Sequence, residues 1–191
     1  MSALKNIVWV GVRSYYQPTS IPINLLQTGK LGRPILEKVL GAGKFNIKLL
    51  VRNPVSTYSL PATLSSVHQV DYTDHKTLVQ HLRGQDAVIV FTSFIPGNEL
   101  DIKHIALVNA AIDAGVKYFI PSEWALDTAG IMGHASDKHG PTLPTDMVLA
   151  AKRVSHNYLL CRAGEGKIKF AVVYPGVIFE NGELFLYIRR C

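Results

Sequence analysis

Residues 6–11 of the chain read Asn-Ile-Val-Trp-Val-Gly, and residues 29–36 read Gly-Lys-Leu-Gly-Arg-Pro-Ile-Leu. The first stretch is typical of a buried parallel strand that ends at a glycine, and the second is typical of the start of a helix. In a dinucleotide-binding fold the first glycine makes a tight turn, the second admits the pyrophosphate, and the third lets the helix pack closely on the strand. We therefore predict that Gly11, Gly29 and Gly32 form a phosphate-binding loop.

Residues 12–27 separate the first glycine from the other two, and removing them would leave Gly11-Thr28-Gly29-Lys30-Leu31-Gly32. Thr28 and Leu31 complete the predicted loop, because backbone N–H groups at a helix N-terminus bind anions. The segment is rich in Tyr, Pro, Ser and Thr and has no helical or strand period, so we expect an exposed, mobile, irregular insertion. The fold should tolerate it, because the entropy of loop closure grows only with the logarithm of length. Phosphate binding should suffer more, because its donors must be held tightly together.

Short apolar runs alternate with helical patterns along the rest of the chain. We predict further strands at residues 46–51, 67–72, 86–92, 117–121 and 168–174, and helices at residues 33–40, 74–82, 100–115 and 146–160. Strands that are apolar throughout are buried on both faces, which indicates a parallel sheet. The predicted fold is α/β, a doubly wound Rossmann-like parallel sheet with helices on both faces. It occupies residues 1–180, and residues 181–191 form an atypical C-terminal tail.

The composition and charge of the chain limit the classes of ligand and binding partner that we expect. The formal net charge is +6, and the basic residues are scattered, which suits an anionic nucleotide but does not indicate nucleic acid. Cys161 and Cys191 lack metal-ligand spacing, and His134 and His139 are interpreted as part of a polar loop, so we expect no metal. No apolar run is long enough for a signal sequence or a membrane span, so we expect a cytoplasmic protein with no membrane partner.

Four short motifs carry a resemblance to a known family. They are residues 29–35, Leu-Val-Arg-Asn-Pro at 50–54, Val-Asp-Tyr-Thr-Asp at 70–74, and Ala-Gly-Val-Lys-Tyr-Phe-Ile-Pro-Ser-Glu-Trp at 114–124. With these motifs the chain resembles the NmrA-like and isoflavone-reductase-like proteins, which are atypical relatives of the short-chain dehydrogenases. The resemblance implies a Rossmann domain that binds NADP(H), used by family members to reduce small aromatic or related substrates. We expect the chain to lack most of the smaller domain that closes over the substrate in the family.

Several candidate residues follow the predicted strands. Arg52 ends the second strand, where an arginine suits the 2′-phosphate of NADP(H). Thr92 and Ser93 end the fourth strand, at the edge where open α/β sheets bind ligands, although they also suit ordinary core and loop. Ser122 and Glu123 end the fifth strand and could orient the nicotinamide or line a substrate pocket. The alternative for Ser122 is a helix-capping turn.

Lys152 matches the position of the family's active-site lysine. Such a lysine holds the nicotinamide ribose and assists proton transfer if burial lowers its pKa, whereas most helix lysines are simply exposed. Tyr72 and Lys76 have the spacing of the dehydrogenase acid–base pair, but they follow the third strand and are not predicted to be catalytic. The resemblance implies an NADP(H)-dependent oxidoreductase that transfers hydride to a small organic substrate. The alternatives are a non-catalytic redox-sensing regulator of a partner protein and an inactive truncated product.

Overall fold

A computed structural model describes residues 4–11, 28–92, 100–124, 144–174 and 187–190. Its elements are β1 (Asn6–Val10), α1 (Thr28–Gly41), β2 (Asn46–Val51), β3 (Ser66–Gln69), α2 (His75–Leu82), β4 (Ala87–Val90), α3 (Leu100–Asp113), β5 (Tyr118–Ile120), α4 (Pro144–Gly164), β6 (Lys169–Tyr174) and β7 (Tyr187–Arg190). The predicted insertion at 12–27, Ser93, and the loop with His134 and His139 lie outside the described residues.

The strands form one sheet in the order β3-β2-β1-β4-β5-β6-β7. Strands β1 to β6 are parallel, and β7 pairs antiparallel to β6. The order reverses between β1 and β4, and in open α/β sheets ligands bind outside the carboxyl ends of the strands at such a point. The predicted doubly wound α/β fold is therefore confirmed, and its expected ligand edge lies where β1 and β4 end.

Helices cover both faces of the sheet, as expected. On one face α2, α3 and α4 pack on alternate strand residues such as Val8 and Val10. On the other face Leu36 of α1 packs with Trp9 and with Leu49 of β2. Because successive side chains of a strand point to opposite faces, the continuous apolar runs supply both layers of the core at once.

Several element boundaries differ from the sequence-based prediction, most of them by one or two residues. Helix α1 begins at Thr28 rather than at residue 33, so Pro34 lies inside the helix and removes the hydrogen bond that its N–H would have donated four residues back. Strand β3 ends at Gln69 rather than at residue 72, because the Asp71 carboxylate accepts bonds from the Thr73 N–H (2.8 Å) and hydroxyl (2.7 Å) and turns the chain. The predicted tail at 181–191 contributes β7.

Candidate functional site

The phosphate-binding glycine that was predicted after β1 stands in a conformation that suits glycine. Gly11 has a φ of +86°, in the region that side chains disfavour, and its N–H donates to the Leu50 carbonyl at 3.1 Å. A Cβ at this position would lie 3.0 Å from the Phe91 carbonyl oxygen. The chain therefore passes β4 at a distance that excludes any other residue type without a shift.

The predicted third glycine contacts the same neighbour from the helix side. A Cβ on Gly32 would lie 3.1 Å from Cγ and 3.2 Å from Cβ of Phe91. This close approach of α1 to the end of β4 is the packing role that the sequence assigned to the third glycine. The backbones of Thr28, Gly29 and Leu31 lie in the first turns of α1, where N–H groups without helical acceptors face outward from the helix end.

Phe91 stands in a column of three aromatic rings at this edge of the sheet. Its ring stacks on Trp9 with centroids 4.5 Å apart and planes 15° apart, and on Trp124 at 4.2 Å and 12°. The indole Nε1 of Trp124 donates to the Val90 carbonyl at 2.6 Å, which fixes the outer ring to β4. The column joins the ends of β1, β4 and β5, and the sequence analysis did not foresee it.

The predicted residues after β4 and β5 connect to Lys152 through hydrogen bonds. The Ser122 hydroxyl donates to the Thr92 carbonyl at 2.7 Å, and Lys152 Nζ donates to the Ser122 carbonyl at 2.9 Å. Lys152 is only 4% exposed, so it is not the surface helix lysine of the alternative interpretation. Its ammonium group therefore lies at the carboxyl end of β5.

Two buried groups set the electrostatics around Lys152. Burial lowers the pKa of Lys152, and the Glu123 carboxylate opposes this by raising that pKa. The Glu123 side chain is itself completely buried. His104 of α3, also buried, has its pKa lowered to about 3 by burial and by the charge of Lys152, so its imidazole is neutral at physiological pH.

His104 is a residue of this cluster that the sequence analysis missed. A signal for it existed, because His104 falls on the same helical face as the buried Leu107, Val108 and Ala111, at spacings of three, four and seven residues. A histidine on the apolar stripe of a helix indicates a buried imidazole. The partner that makes it part of the site, Lys152, is far away in sequence and gives no local sign.

Arg52 lies in a separate cavity at the ends of β2 and β3. The cavity has a volume of about 320 Å³ and is lined by Arg52, Gln69, Val70, Asp71, Tyr72 and Lys103. Gln69 Nε2 donates to the Arg52 carbonyl at 3.1 Å, which holds the backbone from which the guanidinium projects. Two cations and one carboxylate give the lining a net positive charge, which suits an anionic group. Tyr72 is buried, and its hydroxyl donates to the Leu50 carbonyl at 3.3 Å.

The structure thus brings the candidate residues together in two groups. In the first group, Gly11 and Gly32 meet around Phe91, and the hydrogen-bonded series Thr92–Ser122–Lys152 continues from the same strand end. The second group is the cavity that contains Arg52.

The described segments contain no group of three or more His, Cys, Asp or Glu side chains arranged to hold a metal ion. Within the same segments, none of the helices has the length and hydrophobicity needed to span a membrane.

Comparison with known proteins gives the family. A family model for NAD(P)H-binding proteins matches residues 28–183. Quinone oxidoreductase 2 of Escherichia coli (strain K12) is 27% identical over 181 residues, covering 81% of this chain and 63% of that protein. Among solved structures, an isoflavone reductase is 25% identical with a TM-score of 0.52 and covers 91% of this chain and 48% of its own. A structure of AtPrR2 with NADP+ and (+)pinoresinol is 22% identical with a TM-score of 0.62 and covers 92% and 50%.

These similarities confirm the resemblance to the isoflavone-reductase-like proteins. The chain spans 63% of the length of the quinone oxidoreductase and about half the length of both solved structures. The likeness to AtPrR2 concerns the fold alone, whereas the family model covers most of this chain. The chain belongs to the NAD(P)H-binding family, and proteins similar to it include oxidoreductases.

Proposed function

We propose that the chain is an NADP(H)-dependent oxidoreductase that transfers hydride between the cofactor and a small organic substrate, with Lys152 as its catalytic residue. The observation that carries the proposal is the burial of Lys152 beside the carboxyl end of β5, where its ammonium donates to the Ser122 carbonyl. A buried lysine with a lowered pKa at the ligand edge of a Rossmann sheet is a frequent sign of a functional site.

The glycines fit the pyrophosphate of the proposed cofactor. The absence of a Cβ at Gly11 lets the backbone pass close to Phe91, and Gly32 lets the start of α1 approach the same strand end. The free N–H groups and the dipole at the beginning of α1 favour an anion there. In this arrangement Thr28, Gly29 and Leu31 contribute backbone groups, and the chain needs no cationic side chain at that position.

Arg52 supports NADP(H) rather than NAD(H) as the preferred cofactor. Enzymes specific for NAD(H) place a carboxylate after the second strand to bind the ribose hydroxyls, whereas a guanidinium pairs with a 2′-phosphate. Arg52 occupies that place in this chain and lines a cavity together with Lys103.

Lys152 is suited to hold a hydroxyl and to give up a proton. When bound, the nicotinamide supplies the hydride. The Lys152 ammonium donates to the Ser122 carbonyl, which holds it at the carboxyl end of β5. Because burial lowers its pKa, the ammonium gives a proton to a substrate oxygen more readily than an exposed lysine does. Thr92 and Ser122 keep the strand ends that flank this group together.

Titration of the purified chain with NADPH and NADH, followed by calorimetry, tests the binding step. Oxidation of NADPH in the presence of simple quinones tests the chemical step, since one relative is a quinone oxidoreductase. Lys152→Met should keep most of the NADPH affinity and lose turnover by roughly a hundredfold, within the usual range for an acid–base group. Lys76→Met removes an exposed helix lysine and is the matched control.

Each result has a distinct meaning for the proposal. NADPH binding together with turnover that depends on Lys152 supports it. Binding without oxidation of any quinone by the parent chain favours the non-catalytic regulator instead. Equal turnover by the parent chain and Lys152→Met removes Lys152 from the mechanism, and absence of NADPH binding refutes the proposal entirely.

A further inference from the structure

The ring of Phe91 limits how closely α1 approaches the sheet. A Cβ on Gly32 would lie 3.1 to 3.3 Å from three atoms of the Phe91 side chain, so the helix already packs against Phe91. Trp9 and Trp124 stack on the two faces of its ring at 4.5 and 4.2 Å, so the ring cannot move across the stack without displacing one of them. Close-packed interiors transmit such displacements rather than absorbing them. The position of the start of α1 therefore depends on the Phe91 side chain, which the two tryptophans hold in place.

The backbone of the same residue leads to the lysine side of the site. The Phe91 N–H donates to the Val10 carbonyl at 2.7 Å, and its carbonyl faces Gly11. The next carbonyl along the chain, that of Thr92, accepts the Ser122 hydroxyl. The Ser122 carbonyl in turn accepts Lys152 Nζ. A single residue thus contacts both glycines with its own atoms and is one peptide unit away from the bonds that place the ammonium group.

We propose that Phe91 is a positioning residue, which sets the distance between the phosphate-binding end of α1 and Lys152 through the aromatic column. This role rests on the dinucleotide binding proposed above. A dinucleotide that spans the two places needs both at a fixed separation, and binding sites lose affinity when their supporting groups shift by about an ångström. The aromatic side chain at position 91 and the glycine at position 32 are complementary in shape, so a change at one should be compensated by a change at the other.

A double-mutant cycle on this contact tests the proposal. Gly32→Ala forces the helix from the ring, Phe91→Leu makes space, and the double variant combines the two. NADPH affinity is measured by calorimetry, and thermal stability by calorimetric melting. We expect Gly32→Ala to weaken NADPH binding by about tenfold and the double variant to recover at least about threefold of this, within the coupling known for contacting residues. Gly41→Ala, in the same helix with nothing within 4 Å of the new Cβ, should leave affinity within about twofold.

The outcomes separate this proposal from the function on which it rests. A parent chain that does not bind NADPH refutes the proposed function, and the positioning role falls with it. A parent chain that binds, with additive losses in the double variant, overturns the role of Phe91 alone. Losses of affinity that follow the losses of melting temperature across all variants, Gly41→Ala included, also overturn it. If Gly32→Ala does not fold, Phe91→Leu decides: it should weaken NADPH binding by at least about threefold, and unchanged affinity refutes the role.

Discussion

Replacement of Lys152 by Met should destabilise the fold, although the lysine itself is poorly solvated. Lys152 is 4% exposed and the neighbouring Glu123 is 0% exposed, and the carboxylate favours the charged form of the lysine. Loss of the ammonium leaves the buried Ser122 carbonyl without its donor, which typically costs about 1–3 kcal/mol, and removes the attraction to the Glu123 carboxylate. Because the lowered pKa means that the desolvation of Lys152 exceeds this attraction, relief of the desolvation offsets part of the cost, and we expect a net loss of about 1 kcal/mol. For a chain of this size that is a fall in melting temperature of roughly 2–4 °C.

The double variant Lys152→Met/Glu123→Gln distinguishes loss of the pair from loss of packing. It removes both buried charges, and replacement of opposite buried charges by neutral groups is often neutral or stabilising. Its melting temperature at neutral pH should therefore exceed that of Lys152→Met, although it should lack turnover. Lys76→Met, in an exposed helix position, should change stability by less than about 0.5 kcal/mol. A double variant no more stable than Lys152→Met would refute the coupling of Lys152 with Glu123.

The pH dependence of the stability difference between the parent chain and Lys152→Met gives an independent check of the electrostatics of Lys152. The pKa of Lys152 in the folded chain is lowered, mainly by burial, so folding disfavours its charged form. The resulting destabilisation is complete at pH values below the folded pKa and disappears as the pH rises to the ordinary lysine range near about 10.4. Measured by denaturant unfolding, the parent chain should gain stability relative to Lys152→Met across this alkaline interval. A difference that does not vary with pH would contradict the lowered pKa.

Three further predictions concern the cofactor, the aromatic column and a helix end. Arg52→Glu should weaken NADPH binding at least about tenfold and leave NADH binding nearly unchanged in calorimetric titrations, whereas equal losses would mean that Arg52 does not contact the 2′-phosphate. Trp124→Phe should preserve the ring stack but lose the bond to the Val90 carbonyl, lowering stability by about 1 kcal/mol, or roughly 2–4 °C in melting temperature; no change would show that water replaces the indole N–H. Asp74 caps α2 by accepting the Thr77 N–H, and hydrogen bonds from Thr77 lower the pKa of its carboxyl group. Asp74→Ala should therefore lower the stability of the fold at neutral pH, and this loss should vanish as acid protonates the carboxylate of the parent chain. A destabilisation that persists in acid would argue against the cap.

The sequence predicted best those parts of the fold that depend on residues close together in the chain. The run at residues 46–51 was predicted as a strand and is β2 with the same bounds, because the apolar residues that form it are contiguous. The start of α2 was also predicted to within one residue, because Asp74 caps this helix and an N-cap is a relation between residues three apart. The end of β3 was missed because a single side chain, Asp71, bonds two groups of Thr73 and overrides the extended preference of the run.

The candidate site divides in the same way. Gly11, Gly32 and Arg52 could be proposed from spacing, because the strand–loop–helix unit that contains them is nearly local in sequence. The burial of Lys152 could not be predicted from spacing, since the groups that surround it come from α3 and from the end of β5. Periodicity places a lysine on a helix, but only the packing of distant elements decides whether its ammonium is in water.

The meaning of Gly32 depends on a residue that no local pattern connects with it. A glycine in the first half of a helix lowers helix propensity, so from sequence alone it is either a defect or a phosphate-binding residue. In the fold it faces a phenylalanine whose two sides are occupied by tryptophans, and a Cβ would have to displace either the Phe91 ring or the helix. The three large rings and the absent side chain are thus one feature, in which the bulk at the strand ends makes glycine necessary on the helix. Neither half of this feature specifies the position of α1 without the other.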